Sequence, residues 1–347
     1  MTAIIKQIPR DDEALNKRVD ILLQDEGIQR DGNLDYTCGV FDDDGKMIAT
    51  GSCFDNTLRC LAVDKNHRRQ GYMKMVIAHL KEVQSARGNT HLFLYTKVAA
   101  SKYMASSGFY EIARVADSLV FMENTPNGFA DYCADLAATY REGKRIAGIV
   151  MNANPFTNGH KYLVETAAAE NDVLHLFILS EDAGPIPFAV RRMLVHQGVA
   201  HLPNVVCHDS GPYIISSATF PSYFLKDGDL VIRTQAALDL QVFGKLAKEL
   251  GIQRRYVGQE LTSHVTSLYN QTMEVELPKM GIEFIEIKRK ESDSRIISAS
   301  TVRKAIHDGC LDDVKDMLPP TTYAYFAGPE SAAVRAAICA EENVIHY

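Results

Sequence analysis

The sequence predicts an α/β protein of two domains, a mixed α+β domain followed by a doubly wound parallel-sheet domain. Three observations carry this expectation. At 347 residues and 46% hydrophobic content, the chain exceeds the usual size of one core and has apolar residues enough for two. In the first third, strand-like runs succeed one another through tight turns. From residue 145 onward, short continuous apolar runs alternate with helical periodicity, the pattern of parallel strands buried on both faces.

Residues 37–41 and 46–54 read as strands joined by Asp42-Asp-Asp-Gly45, a hairpin signal, and residues 57–63 as a third strand. Val63-Asp-Lys-Asn-His-Arg-Arg-Gln-Gly-Tyr-Met73 follows, after which Val76, Ile77, Leu80 and Val83 recur at helical spacing. The turn Arg68-Arg-Gln-Gly71 offers backbone N–H groups to a pyrophosphate at a helix N-terminus; taken alone, it is also an ordinary solvated basic turn. Residues 91–95 read as a strand, residues 99–108 as a helix closed by Gly108, and Phe109-Tyr110 as the start of another strand. Asn124-Thr-Pro-Asn-Gly128 marks a junction. Residues 129–141 then read as a connecting helix with Phe129, Tyr132, Cys133, Leu136 and Tyr140 on one face.

Ile146-Ala-Gly-Ile-Val-Met151 is the first parallel-strand run. Leu163, Val164, Ala167 and Ala168 then fall at helical spacing, and residues 173–179 supply a second run at the distance of a βαβ crossover. Ligands bind such sheets at the carboxyl ends of the strands, which singles out the turn Met151-Asn-Ala-Asn-Pro-Phe-Thr-Asn-Gly-His160. Pro155 and Gly159 shape that turn. Thr157 and His160 bring a hydroxyl and an imidazole to the free N–H groups of a helix N-terminus, where phosphate is favoured. There is no G-x-x-x-x-G-K-[ST] sequence, so the turn is not a P-loop. Ile296-Ile-Ser-Ala-Ser-Thr-Val-Arg303 repeats the theme, with an apolar pair, Ser/Thr caps and an arginine in the first helical turn that can neutralise phosphate charge. Read singly, the two segments are also a Pro/Gly turn with a capping threonine and an ordinary N-cap. The aromatic run Tyr213-Ile-Ile-Ser-Ser-Ala-Thr-Phe-Pro-Ser-Tyr-Phe224 is expected to be buried packing, and the residues after Pro319-Pro320 a helical appendix.

A net charge of -7 argues against an extended nucleic-acid surface. The 7 cysteines are scattered, odd in number and without C-x-x-C pairing, which points to reduced thiols, with Cys38, Cys53 and Cys60 packed in the first sheet. His175, His196, His201 and His264 lack ligand spacing, and no protein metal site is expected. No apolar stretch approaches membrane-spanning length and charges crowd the first residues, so the expected location is the cytoplasm, away from membranes.

Together, Thr157-x-Gly-His160 and Ile297-Ser-Ala-Ser-Thr-x-Arg303 resemble the paired signatures of the HxGH nucleotidyltransferase superfamily, with threonine for the first histidine as in its pantetheine-phosphate adenylyltransferase branch. Arg191-Arg-Met-Leu and Ala200-His-Leu-Pro-Asn-Val-Val206 look like the helix and third strand of that branch, and Tyr256-Val-Gly258 like its base-binding strand end. The resemblance spans residues 145–318 and implies a Rossmann-like sheet on which an oxygen nucleophile attacks the α-phosphate of ATP in line. It also implies roles for particular residues. His160, Thr157 and Arg303 would be catalytic. ATP would be held by Asn154, the Phe156 backbone, Thr157, Gly159, His160 and Gly258, and its leaving pyrophosphate by Ser298, Ser300, Thr301 and Arg303, with Mg²⁺ carried on ATP.

Residues 1–125 resemble the GNAT acetyltransferase fold, with Arg68-x-x-Gly71-x-Met73 in its pyrophosphate-loop position and Ser107-Gly-Phe109 in its late motif. Two residues depart from that family. Met73 replaces the usual small residue, and Met104, with Tyr103 one place off, stands where a tyrosine general acid is usual. The resemblance therefore implies binding of a pantetheine pyrophosphate arm through Val63, Arg68, Arg69, Gly71 and Met73 more securely than acetyl transfer from coenzyme A, and leaves open whether this domain catalyses transfer or only binds the thiol arm.

The two domains in this order, with residues 126–144 as a linker helix, residues 319–347 as the appendix and the segment Tyr213-Ile-Ile-Ser, resemble the [citrate (pro-3S)-lyase] ligase family. That resemblance implies activation of acetate by ATP as acetyl adenylate. The acetyl group would then pass to the thiol of the citrate lyase acyl carrier protein, on its phosphoribosyl dephospho-coenzyme A group, with AMP and pyrophosphate as products. Two alternatives stay open at this point: a pantetheine-phosphate or mononucleotide adenylyltransferase fused to an acetyltransferase, and a regulatory protein that binds ligands without turnover.

Overall fold

The computed structural model describes residues 3–182, 184–215, 220, 228–260, 263–289, 291–292 and 295–341. The chain divides into two compact units, Met1–Asp131 with Thr219–Gln241, and Tyr132–Ala218 with Val242–Tyr347.

In the first unit, β1 (Ile4–Gln7), β2 (Tyr36–Phe41), β3 (Met47–Phe54), β4 (Thr57–Val63), β5 (Phe93–Lys97), β6 (Tyr110–Val115) and β7 (Leu119–Glu123) form one sheet in the order β1-β2-β3-β4-β5-β7-β6. The expected hairpin joins β2 to β3, its turn fixed by the Asp42 carboxylate, which accepts the N–H groups of Asp44 and Lys46 at 3.1 and 2.8 Å. All neighbours are antiparallel except β4 and β5, which pair in parallel only at Thr57↔Phe93 and Leu58↔Leu94. Helix α1 (Glu13–Asp25) packs Val19, Leu22 and Leu23 with Met47, Cys60 and Ala62. Helix α2 (Tyr72–Ala86) packs Val76, Ile77 and Leu80 with Cys38, Ile48 and Leu58, and α3 (Val98–Ala105) adds Met104 to that core.

Leu58 and Cys60 are two apart in β4 yet belong to different cores. A register shift opposite Gly51, with Cys60 at φ 51, is the bulge that turns the strand over. Cys38, Cys53 and Cys60 are fully buried as expected, and burial pushes each thiol up to about 12.

In the second unit, β8 (Ile146–Met151), β9 (Val173–Ile178), β10 (Val205–Asp209), β11 (Arg254–Gly258) and β12 (Glu283–Ile287) are parallel, in the order β10-β9-β8-β11-β12. The chain builds outward from β8 to β10 and then resumes on the other side of β8, so β8 and β11 flank the topological switch point. The first crossover is α5 (Asn158–Glu170), with Val164, Ala167 and Ala168 buried at the predicted spacing, and the second is α6 (Phe188–Val199).

Three sequence expectations need correction. The connecting helix α4 (Gly128–Ala137) stops before Tyr140, which is exposed, and of its expected stripe only Leu136 is buried. The second unit is not continuous in sequence. Helix α7 (Gly228–Leu250) runs 23 residues, about 35 Å at 1.5 Å per residue, and its portion up to Gln241 groups with the first unit. The segment after Pro319 is core rather than appendix: Phe326 of α10 (Pro320–Ala327) and Ile338 of α11 (Ala332–Ala340) are fully buried in the cluster that holds Ala147 and Leu174. Of the aromatic run, Tyr213, Ile214, Ile215 and Phe220 are buried, and residues 216–219 and 221–224 lie outside the described residues. No helix among the described residues is long and apolar enough to cross a membrane.

Candidate active site

The site is built from the turn between β8 and α5, at the carboxyl edge of the sheet. Two buried arginines hold its backbone. Arg191 of α6, 1% exposed, donates from Nη1 to the carbonyls of Asn152 and Leu179, each at 2.8 Å, from Nε to Ile186 at 3.2 Å, and from Nη2 to Glu181. Arg303 of α9 (Ala299–His307) donates from Nη1 to the Asn154 carbonyl at 2.5 Å. Both guanidinium groups thus spend donors on loop carbonyls.

Thr157 is the N-cap of α5, and it closes a reciprocal box with His160. The Thr157 hydroxyl accepts the His160 N–H at 3.4 Å, and His160 Nδ1 accepts the Thr157 N–H at 3.1 Å. Since Nδ1 is an acceptor, the neutral ring carries its proton on Nε2 and presents an N–H donor. Burial, reinforced by the charge of Arg289, pushes His160 down to about 4, so it is neutral at pH 7. Phe156, fully buried, stacks on His160 with ring centres 5.9 Å apart and planes at 16°, and its Cε1 and Cδ1 lie against Gly198 of α6.

The second motif lies against the first. A Cβ on Gly159 would sit 3.5 Å from Ile297 Cγ2, an ordinary contact that sets the start of α5 beside the segment leading into α9. Ser298 is the N-cap of α9; its hydroxyl makes no cap bond and meets Ser300 Oγ at 2.6 Å. Thr301 is exposed, and Arg303 falls in the second turn of α9, one turn later than expected, with 5% exposure. Gly258, exposed at the end of β11, accepts from Asn270 Nδ2 of α8 (His264–Glu276) at 3.2 Å. The structure thus brings together Asn154, Phe156, Thr157, Gly159, His160 and Arg303 through contacts, with Ser298 and Ser300 at the adjoining helix start.

Two interactions were missed from sequence. Arg289, two residues past β12, donates to the Gln259 carbonyl at 2.7 Å and to Glu260 at 2.5 Å, and its charge acts on His160. Nothing in its spacing distinguishes it from neighbouring lysines. His208 bonds His175 across β10 and β9, Nε2 to Nδ1 at 2.8 Å; only the strand register reveals that pair. Asn154 has a different interest. It is 6% exposed, its Oδ1 is enclosed without a hydrogen-bond partner, and its side chain bonds to none of the described residues. Oδ1 is an acceptor, and an orphaned buried acceptor costs about 1–3 kcal/mol.

The basic turn of the first unit follows β4 as expected. Gly71, at φ 89, is the N-cap of α2, a conformation that suits glycine and leaves the helix N–H groups open. Arg69 is exposed at φ 65. Arg68 pairs with Glu26, whose carboxylate also accepts the Lys65 N–H at 2.9 Å. Val63 and Met73 are half-buried beside the turn. Met104, 4% exposed, is a core residue, and Tyr103 is half-buried.

A parallel sheet with the starts of α5 and α9 brought together at its carboxyl edge, and a mixed sheet bearing an open glycine turn, define a Rossmann-like domain joined to a GNAT-like one. Residues 146–326 match the citrate lyase ligase C-terminal domain family, and residues 5–113 the acetyltransferase (GNAT) family. The [citrate [pro-3S]-lyase] ligase of Haemophilus influenzae is 36% identical over 315 residues, covering 88% of this chain and 93% of the relative. That of Escherichia coli is 37% identical over 306 residues, with 86% and 87% covered, and that of Klebsiella pneumoniae 34% identical over 331, with 94% and 96% covered. The chain belongs to the citrate lyase ligase family and is an acid–thiol ligase.

Proposed function

We propose that the protein activates acetate with ATP and transfers the acetyl group to the prosthetic-group thiol of the citrate lyase acyl carrier protein. The observation that carries this reading is the meeting of two motifs 149 residues apart, Asn154 to His160 and Ile297 to Arg303, at the switch point of a parallel sheet. An acetate oxygen attacks the α-phosphate, the bond to the β-phosphate bridging oxygen breaks, and pyrophosphate leaves. His160 donates its Nε2 proton in a hydrogen bond to a non-bridging oxygen as charge builds there. Thr157 fixes the ring from the other side. The N–H groups at the start of α5 and α9 suit the remaining phosphate oxygens, with Ser298, Ser300 and Thr301 beside them. Gly159 and the exposed Gly258 suit close approach of the nucleotide.

Arg303 then acts by shaping the turn, since Nη1 is committed to the Asn154 carbonyl. Mg²⁺ would arrive as the counterion of ATP. The thiol, its pantetheine arm held by the turn from Arg68 to Gly71, attacks the acetyl carbon; the carbon–oxygen bond to AMP breaks and the thiol proton is lost. A buried Met104 where an amine-acetylating enzyme keeps an acid is consistent with binding the thiol as acceptor.

The test is acetate-dependent exchange of labelled pyrophosphate into ATP by the full chain with Mg²⁺ and no carrier protein. Loss of one donor of this kind costs on the order of 3 kcal/mol, so His160→Ala should lower the exchange rate at least about a hundredfold. Exchange indifferent to acetate, or pyrophosphate release driven by phosphopantetheine instead, would refute the reading.

A further inference from the structure

We propose that Arg289 binds the β- and γ-phosphates of ATP and holds the pyrophosphate as it leaves, a contact that neither of the two motifs supplies. The inference rests on the preceding reading that ATP is cleaved at its α-phosphate in the second unit. The sheet opens where this site lies. β11 and β12 stay joined to their carboxyl ends, pairing through Gly258↔Ile287 and on to the Gln259 N–H, which donates to the Ile287 carbonyl at 2.8 Å. The ladder between β8 and β11 stops at Gly148↔Arg255, although β8 runs on to Met151 and β11 to Gly258. These two strands therefore part toward the edge where the turn to His160 begins, as a switch-point crevice requires. Arg289 follows β12 but reaches back over the end of β11, its Nε donating to the Gln259 carbonyl at 2.7 Å and its Nη2 to Glu260 at 2.5 Å. A Cβ on Gly258 would meet nothing within 4 Å, so the end of β11 puts no side chain in the way.

The guanidinium is bracketed without being used up. Its N–H donors lie in one rigid plane, and the Nε–Nη2 edge is spent on Gln259 and Glu260, whereas Nη1 bonds to none of the described residues. Glu260, its side chain 9% exposed, is held in turn, its other oxygen accepting at 2.9 Å the N–H of Ser263, the N-cap of α8. The bracket thus fixes the plane of Arg289 and leaves Nη1 with its donors and a positive charge. His160, on the turn after β8, presents its Nε2 proton as a neutral ring, and the charge of Arg289 reaches that ring. Donors on two loops of one crevice suit an anion between them. Arg191 and Arg303 spend Nη1 on loop carbonyls, so Arg289 is the guanidinium with an open corner. It stands on the edge strand, two strands from β8 and so about 10 Å away, which matches the far phosphates when the α-phosphate is at His160. The leaving pyrophosphate gains negative charge as its bond to the α-phosphate breaks, and a fixed cation stabilises that charge.

The test is equilibrium binding of AMP, ATP and pyrophosphate, each with Mg²⁺, to the full chain, beside acetate-dependent pyrophosphate exchange. Arg289→Gln loses a charged hydrogen bond, so its affinity for ATP and pyrophosphate should fall on the order of ten- to a hundredfold while AMP stays within about threefold. Arg289→Lys keeps a charge beside Glu260 but cannot serve the bracket and a phosphate together, so it should fall between wild type and Arg289→Gln. It decides the matter if Arg289→Gln fails to fold. In exchange, the KM for pyrophosphate should rise with the affinity loss and the KM for acetate stay within about threefold. AMP weakened as much as ATP, unchanged ATP and pyrophosphate affinity in a folded variant, or an acetate KM that rises in place of the pyrophosphate KM overturns the proposal. Binding that follows the expected pattern in a wild-type protein whose exchange is indifferent to acetate would leave Arg289 assigned and defeat the underlying functional reading instead.

Discussion

Gly198→Ala should disable the active site while barely disturbing the fold. On helix grounds alone, alanine in the last turn of α6 is favoured over glycine by at most about 1 kcal/mol. The added methyl, however, would lie 2.3 Å from Phe156 Cε1 and 2.8 Å from Cδ1. Carbon atoms in contact need about 3.5–4.0 Å, so the ring must move by about 1 Å or more. Phe156 is fully buried and its ring is stacked on His160, so the movement is passed to the imidazole. Overpacking of this size costs about 1–3 kcal/mol, which leaves a net destabilisation of about 0–2 kcal/mol after the helix gain. Displacing a catalytic group by about 1 Å costs about a hundredfold in rate. The expected signature is thus a small fall in melting temperature with a large fall in kcat for acetate-dependent pyrophosphate exchange. Phe156→Leu in the same chain should relieve the clash, with a coupling of at least about 1 kcal/mol in the double-mutant cycle. A Gly198→Ala protein with wild-type kcat and a raised melting temperature would refute the claim that α6 positions His160 through Phe156.

The buried His175–His208 pair gives a pH prediction. Burial holds both imidazoles down to about 4, whereas an unfolded histidine takes its proton near 6.5. The unfolded chain then binds more protons in that window, so stability should fall as pH drops from about 6.5 to about 4 and level off below, by about 3 kcal/mol for one imidazole. Urea melts of wild type and His208→Gln across this range check it; an identical pH slope in both would remove the pair from the account. Arg191→Met should cost about 3 kcal/mol or more, because the carbonyls of Asn152, Leu179, Glu181 and Ile186 lose their donor, and a loss under about 1 kcal/mol in the same melts would show that water replaces it. Joint replacement of Arg68 and Arg69 by alanine should abolish carrier acetylation while leaving acetate-dependent exchange within about twofold, since a phosphate arm loses its charge partners but the second unit is untouched. Equal loss of both activities would count against separate sites.

The sequence by itself determined what depends on near neighbours in the chain. The continuous apolar run 146–151 is β8, residue for residue, because a strand buried on both faces needs no polar alternation. The spacing of Val164, Ala167 and Ala168 marked the buried face of α5, and the hydroxyl of Thr157 marked its start, because a cap acts within one helical turn. Cys38, Cys53 and Cys60 were legible as core for the same local reason. Only the tertiary structure decided what depends on which segments meet. The His175–His208 bond requires the register of β9 against β10, and the Gly198–Phe156 contact requires α6 to lie on the motif turn. Arg289 had no local signal because its effect on His160 is a field acting between different loops. The C-terminal helices looked like an appendix because their amphipathic faces name no partner, and the division of α7 between two units leaves no mark in composition. Side-chain periodicity records that a face is buried; what buries it is fixed by contacts distant in sequence, where topology and register supply the information.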